Sequence, residues 1–292
     1  MPISHYAAEH SHQLLLERIK TEIPEYVKQA LKDTRPSRLI PKHRQGQAII
    51  SCGEDGIFCG KAWVDELFSQ LDPGINVQWQ VNDADNIRTG QTLATVSGPA
   101  AVLLSAESTL LRFLKTLSGA ATHIAHCISL LSGDVTRFID TLSNISGTDS
   151  LKYALLTGAG QSKRLDFCDT IPLKENHIIA CGSVSEAIEN ARWIDPDRPV
   201  EIEVTSGEQL AEAIRAGANI ILLRNFTRGD TLDAITAVRQ SAVQILLEAG
   251  GNISPDQLQE LSLTGIDYIS ADSLIRHYRP LDISLQFIAT AG

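Results

Sequence analysis

Apolar residues recur at helical spacing through residues 12–33 (Leu14, Leu15, Ile19, Ile23, Val27, Ala30, Leu31), which predicts a helix interrupted near Pro24. Residues 34–44 hold Pro36, Pro41 and several basic side chains and read as a loop. Short strand patterns follow at Gln47–Cys52, Ile57–Cys59, Val77–Val81 and Leu93–Val96, with a helix at Ala62–Leu71 between them. This third of the chain reads as an α+β domain of antiparallel strands. Val102–Leu131 is apolar or small on most faces, which predicts a long, largely buried helix broken by Gly119.

The rhythm then changes. Strand patterns at 135–140, 169–173, 200–204, 219–223, 243–247 and 267–270 alternate with helical ones at 184–193, 207–216, 230–239 and 255–262. Such alternation builds βαβ units and a parallel sheet. Six strands favour a barrel over an open sheet, while a doubly wound sheet fits the same pattern. Leu281–Phe287 alternates once more, as a strand returning to the first domain would.

Composition narrows the classes. A net charge of −10 disfavours a general binder of nucleic acid or anionic membrane, although a local basic pocket is compatible with it. The five cysteines are scattered with no C-x-x-C pair, as expected of a reduced protein without disulfide frame or zinc site. The first residues show no apolar signal region and no stretch reaches the length of a membrane span, so a cytoplasmic location is expected.

Candidate chemistry concentrates in residues 163–178. Lys163 and Arg164 precede a short apolar run, and Lys174-Glu-Asn-His177 leaves the end of its strand. In an α/β barrel that C-terminal end is where ligands are held. The alternative is a solvated strand end. His123 and His126 lie on the long helix and read as core or surface residues, Cys168 as a core thiol, and His177 as a local hydrogen-bonding partner that holds its loop.

Several uncommon words occur in a telling order: Asp55-Gly-Ile-Phe-Cys-Gly-Lys61, Thr116-Leu-Ser-Gly119, Leu173-Lys-Glu-Asn-His177, Val200-Glu-Ile-Glu-Val204 and Leu281-Asp-Ile-Ser-Leu285. Nearly end to end, the chain closely resembles quinolinate phosphoribosyltransferase. The resemblance implies an α/β protein with an N-terminal α+β domain (1–115, with 278–292 packing back on it) and a partly open parallel α/β barrel (116–277). It also implies a homodimer in which each site is completed by an arginine of the neighbour. The family reaction joins quinolinate to phosphoribosyl pyrophosphate with Mg²⁺, and yields nicotinate mononucleotide, CO₂ and pyrophosphate for NAD synthesis. Such polyanionic substrates call for clustered Arg, Lys and His, and the leaving pyrophosphate for carboxylates that place the metal.

Residue by residue, the resemblance implies departures where that chemistry resides. Ser108 stands where the family donates an arginine to the partner. Leu142 and Ser143 replace two cations. Arg224 replaces the metal-side carboxylate, Gly250 a phosphate-binding serine, and Asp272 a glycine of the second phosphate turn. Lys152, Arg164, Lys174 and Glu203 occupy retained positions, and Lys163 replaces a histidine. Lys174 and Glu203 are therefore the candidate catalytic residues, and Lys152, Lys163 and Arg164 the candidate anion-binding ones. No metal ligand set and no cofactor are expected, with Mg²⁺ required only if the family reaction persists. Glu203 and Arg224 end adjacent candidate strands, which predicts an ion pair; the alternative is that Arg224 recognises a new anion. The expectation is a degenerate paralogue with a binding or regulatory role, as a homodimer or with a heteromeric partner. The alternatives are an enzyme with altered chemistry on another anionic substrate, or residual family activity in NAD synthesis.

Overall fold

The computed structural model describes residues 3–32, 40–41, 43–132, 135–139, 149–159, 165–166, 170–270 and 278–288, and only the backbone of 3–15, 139 and 165–166. It divides into two units. A sheet unit comprises His12–His126, Ile145–Gln161 and Tyr278–Gly292, and a barrel unit the remainder.

In the sheet unit, four antiparallel strands run in the order β13 (Ile283–Ile288), β1 (Gln45–Cys52), β5 (Thr92–Pro99), β3 (Asn76–Trp79). The C-terminal strand thus pairs along the full length of β1, from Gln47 opposite Ile288 to Cys52 opposite Ile283. Alternate β1 residues Ala48, Ile50 and Cys52 are buried, as a sheet with one covered face demands. A short ladder joins β2 (Gly56–Ile57) to β4 (Asn86–Ile87).

The first helix, α1 (Ile3–Ala30), runs straight through Pro24, contrary to the interruption the sequence suggests. Ile19, Ile23 and Val27 form one buried stripe across the proline, a spacing that only an unbroken helix delivers. Burying three such side chains contributes about 1.5–3 kcal/mol each, which exceeds the roughly 3 kcal/mol cost of an interior proline. The long helix α3 (Ala100–Leu130) likewise continues through Gly119. Here the glycine makes room: a Cβ would lie 2.2 Å from the Arg279 carbonyl oxygen, and Leu281 N donates to Lys115 O nearby. Helix α4 (Asp149–Ala159), not foreseen from the sequence, packs on α3 by the same device, Gly158 lying against the Ala121 carbonyl. Residues 116–126 and 145–161 group with the sheet unit.

One half-buried carboxylate organises this corner. Asp83 Oδ1 accepts from Gly60 N and Lys61 N at the start of α2 (Lys61–Leu71), while Oδ2 accepts from the Tyr153 hydroxyl on α4 at 2.8 Å. The Tyr153 ring packs on Trp63, centroids 5.2 Å apart. The turn after Asp83 holds Ala84 at φ 75°.

Among the described residues the barrel unit carries seven parallel strands, one more than expected. They run in the order β7 (Leu165–Asp166), β6 (Arg137–Ile139), β12 (Tyr268–Ser270), β11 (Leu246–Gly250), β10 (Ile220–Arg224), β9 (Val200–Val204), β8 (Ile171–Leu173). First strand beside last closes the curl through β6 and β12, and among the described residues β7 and β8 do not pair. The sheet is a partly open barrel. The sequence reading missed β7 because two residues carry no periodicity. It also set β11 three residues early; pairing with Ile220 starts that strand at Leu246, leaving Val243 exposed.

Helices α5 (Glu175–Cys181), α6 (Val184–Ile194), α7 (Gly207–Ala216), α8 (Arg228–Gln240) and α9 (Pro255–Ser262) accompany the strands. Ser183, Ser206, Thr227 and Ser254 cap α6 to α9, each hydroxyl accepting from the third helical amide. Each cap contributes about 1 kcal/mol and fixes where the chain turns into its helix. Among the described residues no helix is long and apolar enough to cross a membrane.

Two outcomes are expected. Alanine at positive φ costs roughly 1–2 kcal/mol, more than the roughly 0.4–1 kcal/mol glycine loses through the unfolded chain. Ala84→Gly should therefore raise Tm by about 1–3 °C, and a lower Tm in a thermal melt would refute the strain. Burial outweighs the hydrogen bonds to Lys61 N, Tyr153 and Gly60 N and raises the Asp83 pKa. A carboxyl with a raised folded-state pKa adds stability below its unfolded value and loses it as pH rises through the folded one. Asp83→Asn should thus gain on the unaltered protein as pH rises from about 4 towards 7, whereas melting curves that stay parallel across this range would rule it out.

Candidate functional site

Strand parity decides which side chains meet inside the barrel. On β9, Val200, Ile202 and Val204 are buried on one face, with Ile221 and Leu223 of β10 and Leu247 and Ala249 of β11 beside them. This apolar set suits the face that helices cover. The other parity holds the ionisable groups. In register across the sheet stand Glu203, Leu222, Glu248, Tyr268 and Arg137, and one step towards the C-terminal ends stand Arg224, Gly250 and Ser270.

Glu203 is 9% exposed, and its Oε2 accepts from Arg224 Nη1 at 3.3 Å. The ion pair read from the sequence is present. The Arg224 side chain is half exposed, and among the described residues Nη1 alone makes a bond. Gly250 follows from crowding at this level: a Cβ there would come within 2.5 Å of Leu222 Cδ1 and 2.7 Å of Ser270 Oγ.

Glu201, overlooked in the sequence, shares the face of Glu203 because the two are separated by one residue on a strand. Burial raises its pKa; the Thr170 hydroxyl, donating at 2.8 Å, and the charge of Lys174 lower it, and the charge of Glu203 adds to the rise. The Glu-x-Glu spacing was the available signal. Two carboxylates and two cations, Lys174 and Arg224, therefore offset one another at the ends of β8 to β10. Lys174 itself is exposed at the start of α5. Its backbone N donates to His177 Nδ1 at 3.0 Å and its carbonyl accepts from His177 N, so His177 holds the turn locally.

Lys152, on α4 of the sheet unit, is 9% exposed and has no ion-pair partner among the described residues. Ser108 is exposed on α3. Leu142, Ser143, Lys163, Arg164, Asp272 and Cys168 lie outside the described residues. His123 is half-buried and His126 exposed, both on α3.

Magnesium binds through oxygen donors, two or more of them carboxylate or water in near-octahedral array. At the end of β10 the side chain facing Glu203 is a guanidinium, which has no lone pair to give. These residues do not fit the metal that the resemblance implies, and among the described residues no three His, Cys, Asp or Glu gather elsewhere to hold one.

Comparison with known proteins places this arrangement. Residues 33–118 match the quinolinate phosphoribosyl transferase N-terminal domain and residues 120–286 the C-terminal domain. The probable nicotinate-nucleotide pyrophosphorylase of Bacillus subtilis is 36% identical over 241 residues, 82% of each chain. Among solved structures, the nicotinate-nucleotide pyrophosphorylase from Francisella tularensis superposes with a TM-score of 0.82 at 30% identity, covering 91% of this chain and 96% of that one. NadC from Streptococcus pyogenes gives 0.82 at 29% identity, covering 92% and 98%. With both domain matches and a 36% identical relative spanning four-fifths of its length, this chain belongs to the quinolinate phosphoribosyltransferase family.

Proposed function

We propose that this chain keeps the family scaffold as an anion-binding protein and carries out little of the family's phosphoribosyl transfer. In that reading it is a catalytically impaired paralogue with a binding or regulatory role, acting as a homodimer in the cytoplasm. The observation that carries it is the Glu203–Arg224 pair, in which a cation occupies the place where a metal-side carboxylate is expected. Removing one well-placed electrostatic donor costs about 2.7–4 kcal/mol of transition-state stabilisation, or roughly 10²–10³ in rate. The substitutions at Ser108, Leu142, Ser143, Gly250 and Asp272 act on the same substrates, and groups that work as a unit fail as a unit. The identity to the Bacillus subtilis relative supports the shared fold, which is compatible with loss of particular side chains.

A second reading has one observation in its favour. Glu201 combines a raised pKa with the nearby positive charge of Lys174, a combination suited to proton transfer on a different anionic substrate. In that case the site is an enzyme with altered chemistry.

The deciding experiment incubates the protein with quinolinate, phosphoribosyl pyrophosphate and Mg²⁺ and quantifies nicotinate mononucleotide by chromatography. Glu203→Ala, prepared in parallel, reports traces of host enzyme. The expected rate lies at least about 100-fold below that of a family enzyme measured alongside. Turnover at the family rate, abolished in Glu203→Ala, would sink the impaired-paralogue reading.

A further inference from the structure

We infer that the N-terminal end of the barrel is a surface on which two copies of this chain pack against one another, with Trp193 as its main apolar anchor. The inference is independent of the anion site, which lies at the opposite ends of the same strands. It adds an interface to the homodimer proposed above.

Seven large apolar side chains of the barrel unit are exposed among the described residues, and five of them gather at one end. Trp193 and Ile194, 87% and 75% exposed, finish α6; Val243 and Leu263 follow α8 and α9; Val135 precedes β6. The chain returns from each helix to the start of the next parallel strand, so all five lie at the strands' N-terminal end. The strands they precede, β6, β12, β11 and β9, lie within four strand spacings, about 20 Å.

Arg192 fixes the largest of these residues in place. Its guanidinium donates to the carbonyl of Ala216 at 3.0 Å and to that of Gly217, both at the end of α7. This pair of bonds ties the last turn of α6 to its neighbour and crosses the position where β10 begins. Trp193 thus presents its ring to water from an anchored turn, as the aromatic anchors of interfaces do.

The size of the patch suits a stable contact. Taking about 200 Å² for a tryptophan and about 60–120 Å² for each aliphatic side chain, the five expose roughly 300–500 Å² of apolar surface per copy. With the polar rim that surrounds an interface core, two such faces bury about 900–1,600 Å² in total, and stable complexes bury about 1,200–2,000 Å². An apolar patch of several hundred Å² is more than a soluble monomer ordinarily leaves uncovered.

The charge pattern selects the occupant. The chain carries a net charge of −10, so copies repel one another over most of their surface. At this end Arg192, Arg215 and Arg239 stand in the last turns of α6, α7 and α8, where they offset the partial negative charge of the helix C-termini. The loop into β9 adds Asp195, Asp197 and Arg198, and the last turn of α9 holds Glu260. Both signs are therefore interspersed, which is what a face that meets itself about a twofold axis requires. An anionic membrane would select an excess of basic side chains instead.

Sedimentation of the full chain at micromolar concentration tests this. Trp193→Asp and, separately, Ile194→Lys should lower the mass of the particle about twofold or more, whatever other interface the chain uses. Leu232→Asp, an exposed apolar position on α8 outside the patch, should leave the mass unchanged. Thermal melts confirm that each variant folds, and Trp193 emission, isolated by subtracting the spectrum of Trp193→Phe, should move to shorter wavelength as concentration rises. Equal masses for the unaltered protein and both patch variants overturn the inference, as does an equal fall in Leu232→Asp. Co-sedimentation with phosphatidylserine vesicles that Trp193→Asp abolishes, without any change in mass, overturns it in favour of a membrane contact.

Discussion

The alternation of side chains along the barrel strands is the constraint from which the site follows. Parallel strands flanked by helices must be apolar on the helix-facing parity, and Val200, Ile202, Val204, Ile221, Leu223, Leu247 and Ile269 meet that demand. Glu201, Glu203, Arg224 and Glu248 are thereby confined to the other parity, inside the barrel. Lateral registration does the rest. Because Leu222 lies opposite Glu203, Arg224 stands one step beyond it and can reach back along its own strand direction to form the pair. A slip of one residue in β10 would turn Arg224 towards the helices and leave Glu203 buried without a partner.

The sheet unit is held by a different economy, few polar contacts at close-packed junctions. Asp83 gathers the start of α2 and the hydroxyl of Tyr153, and Gly119 and Gly158 let backbone meet backbone where any larger residue would push elements apart. Ser118 adds to this by bonding both the amide and the carbonyl of Cys59. Helix α4 is thus fixed at several points, and in sequence it separates the stretch holding Leu142 and Ser143 from the one holding Lys163 and Arg164.

The chemistry at the rim reads as substitution of one kind of charge balance for another. Glu203 needs a positive neighbour once it is buried, whether a metal or a guanidinium supplies it. With Arg224 the neighbour is covalently part of the chain, always charged and geometrically fixed. Glu201 finds its balance in Lys174 and a hydrogen bond from Thr170. Among the described residues at the ends of β8 to β10, these two carboxylates and two cations offset one another.

What could be read from the residues alone was whatever short-range pattern specifies. The alternation of strand and helix from residue 200 to 262 and the returning C-terminal strand are encoded within windows of about ten residues, and the structure follows them. The words shared with the family, and the changes at Arg224 and Gly250, were equally legible because they are identities at positions. The continuity of α1 through Pro24 and of α3 through Gly119 was not, since it depends on the buried stripe and on the Arg279 backbone, which are tertiary neighbours. The start of β11 and the two-residue β7 were fixed by pairing with strands distant in sequence. So was the significance of Glu201. Its identity is plain in the chain, but its role as a balanced carboxylate exists only because strand register sets it beside Lys174 and Glu203, and register is decided by packing across the whole sheet.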